Sequence, residues 1–223
     1  MSSNLSNSVL KWYKKYGRNN LPWKVEDPYK IWISEIMLQQ TQVSTVIPYY
    51  LKFIKKYPNL KSLASADLDD LMLIWSGLGY YRRIKNIHIS SQIIAIEHNY
   101  NFPHKYDDIL SLPGIGRTTA SAISTFSGFS NKAILDGNVK RILIRFYEIE
   151  EENKTILEKK LWDKSVSITP LKNTSDFIQG MMDIGSLICK RTNPECCKCP
   201  LKSMGCTYNP TRKREKKIKQ KIK

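Results

Sequence analysis

Acidic residues are scarce in this chain, and cysteine is absent from its first 188 residues. Thirty-six lysines and arginines stand against twenty aspartates and glutamates, which leaves a net charge of +16 on 223 residues. A deficit of this size points to a polyanionic partner. Part of it is local: Thr211 to Lys223 carry +7, and the other 210 residues keep +9. Ribosome-associated and thermophilic proteins reach similar values, so charge alone does not name the partner. If the partner is a nucleic acid, counterion release makes the affinity strongly salt-dependent.

Long apolar runs are missing too. None approaches the roughly 18–20 residues of a membrane span, and the first residues, MSSNLSNSVLKWYKKYG, lack the apolar stretch and cleavage site of a signal peptide. These absences lead us to expect a cytoplasmic, nucleoid-associated protein with no membrane partner. All five cysteines fall between Cys189 and Cys206. Disulfide frameworks spread their cysteines to staple distant loops, so this clustering points to a metal site instead. No run alternates with period two between hairpin turns, and no internal repeat is present. An all-α fold is the expectation, in one large domain or two small ones.

Helical punctuation is abundant. Leu5–Tyr16 is amphipathic and stops at Gly17. Asp27-Pro28 opens a second helix, with Asp as N-cap and Pro at the first helical position. Its body, YKIWISEIML, is apolar almost all round and should be buried. Thr41 can cap a third helix, a fourth runs from Leu68 to Trp75, and Tyr80–Glu97 reads as a long fifth with Ile84, Ile87, Ile93 and Ile94 inward. Further helices fall near 154–168 and 175–188. The stretch 211–223 is low-complexity and basic, and is expected to be disordered.

Residues 106–127 form a distinctive unit. A short helix, YDDILSL, meets Pro113-Gly114-Ile115-Gly116 before a second helix begins near Arg117. Glycines at 114 and 116 let backbone N–H groups turn outward, and with the N-terminus of the next helix they suit one phosphate. A plain tight turn between packed helices would use the same residues.

Three features carry chemistry. Cys189, Cys196, Cys199 and Cys206 read C-x6-C-x2-C-x6-C, with Cys197 spare. Four thiolates in a short loop, with proline after Cys199, suit a [4Fe–4S] cluster; a tetrahedral zinc site is the alternative. Glu35 lies in the apolar helix, where burial would raise its pKa and leave a proton to donate near neutrality; a Glu on a polar edge is the simpler reading. Asp136 precedes a helix and could be an N-cap worth about 0.5–2 kcal/mol, or a carboxylate facing a developing cation as in glycoside hydrolysis.

Taken in order, LPW (21–23), SEIMLQQTQV (34–43), GLGYYRR (77–83), LPGIGRTTA (112–120), ILDGNVKR (134–141) and MMDIGSLIC (181–189) resemble the motifs of adenine DNA glycosylases, the MutY branch of the endonuclease III superfamily. The likeness runs over about residues 5–208, and QQTQ is characteristic of the adenine-specific branch. It implies a helix-hairpin-helix DNA glycosylase and decides the metal in favour of [4Fe–4S] on the four cysteines. By the same resemblance Glu35 protonates the adenine ring and helps to activate water, Asp136 stabilises the oxocarbenium-like sugar, and Asn138 orients the site. Gln40 and Tyr80 wedge into the duplex; Gln179, Arg18, Trp23 and Leu38 contact the adenine. Gln39, Tyr80 and Trp23 are also compatible with ordinary packing.

Three departures qualify the likeness. Thr118 stands where bifunctional relatives carry a catalytic lysine, and a hydroxyl forms no Schiff base, so lyase activity should be weak or absent. The last cysteine spacing is six where the family has five. A lysine-rich tail stands where these enzymes continue into an 8-oxoguanine-recognising domain. We therefore expect a six-helix barrel at 22–130 with the hairpin at 106–127, and a cluster-bearing lobe from 1–21 and 131–210. The expected activity is monofunctional excision of adenine opposite guanine or 8-oxoguanine in double-stranded DNA, by a monomer. A thymine/uracil–guanine mismatch glycosylase and an inactive cluster-bearing DNA-binding module are the alternatives.

Overall fold

The structure, a computed structural model, describes residues 2–209; the basic stretch 211–223, with its expected disorder, lies outside the described residues. Eleven α-helices and no strand occur among the described residues, the all-α class expected. In order they are α1 (Ser2–Tyr16), α2 (Pro28–Leu38), α3 (Val43–Lys56), α4 (Leu60–Ala64), α5 (Leu68–Trp75) and α6 (Arg82–Glu97). Then come α7 (Tyr106–Ser111), α8 (Arg117–Phe126), α9 (Gly137–Phe146), α10 (Lys154–Ile168) and α11 (Thr174–Asp183). The chain divides into two compact units: Asn19–Lys132, and Met1–Arg18 together with the chain from Ala133 onward. Among the described residues no helix is long and apolar enough to cross a membrane.

Asn19–Lys132 is organised around α2. The Asp27 carboxylate accepts the Tyr29 N–H at 3.0 Å and Pro28 takes the first helical position, so the helix starts where its punctuation says. Ile31, Trp32, Ile33, Ser34, Ile36 and Met37 are all buried, and α3, α6 and α8 pack round them. Phe53, Trp75, Ile84, Ile87 and Ile94 join the same core. Each of the apolar side chains stabilises the fold by about 1.5–3 kcal/mol on burial, so the position of α2 is heavily over-determined. Whatever hangs from its C-terminal end inherits that rigidity.

Three boundaries differ from expectation. The unit holds α4 beyond the six helices anticipated; at five residues it is too short for periodicity to register, and it is set by a reciprocal cap between Asn59 and Ser62. Thr41 does not cap α3. Gln42 takes that place without a side-chain bond, because Gln40 turns the chain at φ +58° and leaves the Thr41 hydroxyl donating back to the Gln39 carbonyl at 3.4 Å. Likewise α6 starts at Arg82 and not Tyr80, whose φ of +50° no helix accommodates.

In the other unit α1 packs on α10 and α11, and α9 on α10 and α11. The helix expected at 175–188 is interrupted: α11 ends at Asp183, and Ile184–Ile188 widen into a π turn closed by Cys189 N–H to Ile184 O at 2.7 Å. Gly185 sits in that turn, where an added Cβ would lie 2.5 Å from Asn138 Cβ. Only glycine lets the widened turn rest against the first turn of α9.

Candidate functional site

At the end of α2, Glu35 is half-buried between the buried Ser34 and Ile36. Leu38 and Gln39 follow on the same helical face, Leu38 packing on the core. The Gln39 amide donates to Gly114 O at 3.4 Å and to Thr119 Oγ1 at 3.3 Å, tying the helix end to the glycine hairpin. Gln40 is exposed at φ +58°, and Tyr80, 57% exposed, adopts φ +50° after Gly77 and Gly79. Two side-chain-bearing residues in the left-handed region cost on the order of 1–3 kcal/mol each. Both line one groove of about 680 Å³ with Asn86, Pro113 and Gly114. Trp23 is placed differently: it is buried with its ring edge-on to Tyr50 at 5.4 Å, a core packing position.

The hairpin joins α7 and α8. Gly114 has φ +80°, and an added Cβ would strike the Asn86 amide, so glycine is required there. Gly116 is different. Its φ of −94° suits any residue, and an added Cβ would meet no atom within 4 Å. The space a side chain would fill lies open before the N-terminus of α8. Thr118 is half-buried in the first turn of that helix.

In the cysteine-bearing unit Asp136 caps α9. Its Oδ1 accepts the Val139 N–H at 2.7 Å and its Oδ2 accepts the Asn138 amide at 3.0 Å. Burial pushes the Asp136 carboxyl pKa up, against these bonds and the nearby positive charge of Arg141. The anion is thus poorly solvated where it stands and would gain from a cation brought beside it. One turn on, the Arg141 guanidinium donates to Asn138 Oδ1 at 2.7 Å, Gly185 O at 2.6 Å and Cys189 O at 2.7 Å. Asn138 is held between the two.

Arg18 and Gln179 converge on Asp183, which is fully buried. Its carboxylate accepts the Arg18 backbone N–H at 2.7 Å, Arg18 Nε at 3.0 Å, Arg18 Nη2 at 2.6 Å and Gln179 Nε2 at 2.9 Å. Nearby, Cys189, Cys196, Cys199 and Cys206 line one pocket with Arg145 and Tyr208, while Cys197 is exposed outside that lining. Arg145 Nη1 lies 3.2 Å from Cys189 Sγ, and its guanidinium stacks 4.3 Å from the Tyr208 ring. Burial, helped by the other three cysteines, pushes the Cys199 thiol up to about 11. Among the described residues no three His, Cys, Asp or Glu side chains are grouped to hold a single metal ion.

A profile of the HhH-GPD superfamily base excision DNA repair proteins matches residues 33–165, more than half of the chain. The chain belongs to this superfamily. Among curated relatives of this HhH-GPD protein, the adenine DNA glycosylase of Buchnera aphidicola subsp. Baizongia pistaciae is 52% identical over 202 residues, 90% of this chain and 57% of that one. Human adenine DNA glycosylase is 36% identical over 88% of this chain and 38% of its own length. The chain thus spans little more than half the length of the Buchnera relative. Of solved structures, a thermostable thymine-DNA glycosylase superposes with a TM-score of 0.84 at 26% identity, covering 93% of this chain and 95% of that one. A non-covalent endonuclease III–DNA complex, at 20% identity and a TM-score of 0.79, shares the fold.

Sequence reasoning passed over three residues of this HhH-GPD chain that hold the others in place: Arg83, Asp183 and Arg141. Arg83 and Arg141 stood inside quoted motifs, and Asp183 inside MMDIGSLIC. Asp183, the one charged residue of its motif, carried a signal; Arg83 and Arg141 stand beside Arg82 and Lys140 and carried none.

Proposed function

We propose that this HhH-GPD protein is a monofunctional adenine DNA glycosylase, hydrolysing the N-glycosidic bond of adenine opposite guanine or 8-oxoguanine in double-stranded DNA. The observation carrying the reading is the 52% identity to an adenine DNA glycosylase over 90% of the chain. It is supported by the poorly solvated Asp136 anion beside Asn138 and the half-buried Glu35 on α2. In the proposed reaction the Glu35 carboxylic acid gives its proton to the adenine ring. The C1′–N bond then breaks with its electron pair leaving on the base. Asp136 stabilises the resulting sugar cation, and Asn138 orients that carboxylate. Water adds to C1′ and passes its proton to Glu35, giving free adenine and an abasic site. Thr118 offers no amine, so the strand is left intact.

Gln40 and Tyr80 would enter the duplex where the adenine leaves, a step costing a few kcal/mol and least at a mismatch. Gly114, Gly116 and the N-terminus of α8 would take a backbone phosphate. Arg18, Gln179, Leu38 and Trp23 are assigned to the adenine pocket. The protein would act as a monomer at the nucleoid.

The four pocket cysteines fit a [4Fe–4S] cluster. Four thiols lining one pocket are the donor set such a cluster takes, and the resemblance to the endonuclease III superfamily favours it over zinc. When bound, the cluster would stabilise a loop too short to bury a core of its own.

A second reading has its own support, because the chain covers 95% of the thymine-DNA glycosylase structure. Single-turnover excision on duplexes carrying A:8-oxoG, A:G, T:G or U:G decides between them. Release of adenine is expected. Release of thymine or uracil moves the protein to the second reading, and tight binding without release leaves a DNA-binding module.

A further inference from the structure

Arg83 is 6% exposed, and the five bonds it donates all go to carbonyl oxygens. Nη1 donates to Ile36 O at 3.1 Å, Met37 O at 2.6 Å and Gln39 O at 2.6 Å, the carbonyls at the negative end of α2. Nη2 donates to Gly79 O at 3.0 Å and Leu78 O at 3.4 Å, in the turn preceding Tyr80. The guanidinium also lies 5.2 Å from the Tyr80 ring and 5.4 Å from the Trp75 ring. One cation therefore joins two segments some forty residues apart in sequence. Each segment runs straight into a residue with positive φ: Gln40 after Gln39, and Tyr80 after Gly79. Left-handed backbone persists at such residues only when its surroundings over-determine it.

We propose that Arg83 is a positioning residue for base extrusion, holding Gln40 and Tyr80 in the backbone conformations that let them enter the duplex. The inference rests on the glycosylase reading for what the groove does. Its geometry demands a fork: two nitrogens on one rigid plane address the two segments, which a lysine ammonium cannot reproduce. Lysine would keep the charge and lose the bridge.

The test uses the full chain as wild type, Arg83→Lys and Arg83→Gln, on duplexes with 2-aminopurine in place of adenine, where fluorescence rises when the base leaves the stack. One duplex pairs the probe opposite guanine; the other sets it opposite an abasic-site analogue, where extrusion costs less. Excision of adenine from the matching duplexes is followed in parallel. Arg83→Lys is expected to lose the fluorescence rise and to slow excision by about 10- to 100-fold on the paired duplex, while both are largely kept on the unpaired one. Arg83→Gln should show the same split more deeply. An unchanged rise in Arg83→Lys on the paired duplex overturns the inference, and so does an equal loss on both duplexes, which marks a plain folding defect. A wild type that extrudes the probe but releases no adenine defeats the glycosylase reading while leaving the role of Arg83 standing.

Discussion

In Asn19–Lys132, Glu35, Gln39 and Gln40 hang from the end of a helix sunk in aromatic and aliphatic side chains, and a single arginine fastens that end to the neighbouring turn. In the cysteine-bearing unit the corresponding residues are strung on charged side chains instead, Asp183 fully buried and Arg141 and Arg145 half-buried. Asp183 gathers Arg18 and Gln179, Arg141 gathers Asn138 and Gly185, and Arg145 gathers the loop from Cys189 to Arg191. An apolar core yields gradually, because a truncated side chain loses area and leaves a cavity. A polar network yields abruptly, because removing one member strands the rest without partners.

That contrast can be broken by experiment, beginning with the largest effect. Cys199→Ala should open the segment beyond Ile188 to limited proteolysis while fragments from Asn19–Lys132 stay resistant; equal resistance to wild type would remove the proposed cluster as a structural support. Asp183→Ala should destabilise the fold by about 3–5 kcal/mol in chemical denaturation, since Arg18 and Gln179 lose the acceptor they share. Ile33→Ala, in the apolar unit, should cost about 2–5 kcal/mol and lower the midpoint without altering the groove. If Asp183→Ala proved as stable as wild type, the distinction between the two units would be wrong.

Asp136 sharpens the comparison, because its structural and chemical roles separate. An asparagine side-chain oxygen at this position would still accept the Val139 N–H, so Asp136→Asn should change stability by no more than about 1 kcal/mol while slowing excision by about 100- to 1000-fold. The pH dependence follows from the raised pKa. The native state binds this proton more tightly than the unfolded chain, whose value is near 3.8. The associated stability is present below that pH and lost as pH rises through the higher native value. Asp136→Asn should flatten that window in pH-dependent melting, and the acid limb of the wild-type excision profile should fall above 3.8. The smallest effect is expected at Lys56–Asp70, an exposed pair at 3.2 Å, whose loss should hardly move the melting midpoint, with any difference vanishing in salt.

Much of the frame could be read from sequence because its causes are local. Asp27-Pro28, the glycine hairpin and the cap at Asp136 each act within a few residues, and the apolar body of α2 announces its burial. Helix interruptions were hidden for the opposite reason. Nothing near Tyr80 or Gln40 requires positive φ; their backbone is imposed by Arg83, whose acceptors come from 36–39 and 78–79. In the π turn after Asp183, the neighbour that leaves Gly185 no room for a Cβ is Asn138, far back in the chain. Trp23, which the resemblance assigns to the adenine pocket, is buried edge-on to Tyr50, a contact that its neighbours in sequence do not announce. Of the two hairpin glycines, only Gly114 is required by its conformation.

The proposed excision of adenine rests on Glu35 acting as the acid. Single-turnover release of adenine from an A:G duplex by wild type and by Glu35→Gln, with DNA binding measured on the same samples, tests it most directly. Wild type should release adenine rapidly and Glu35→Gln none above background, at comparable affinity. Equal release by the two proteins would contradict it.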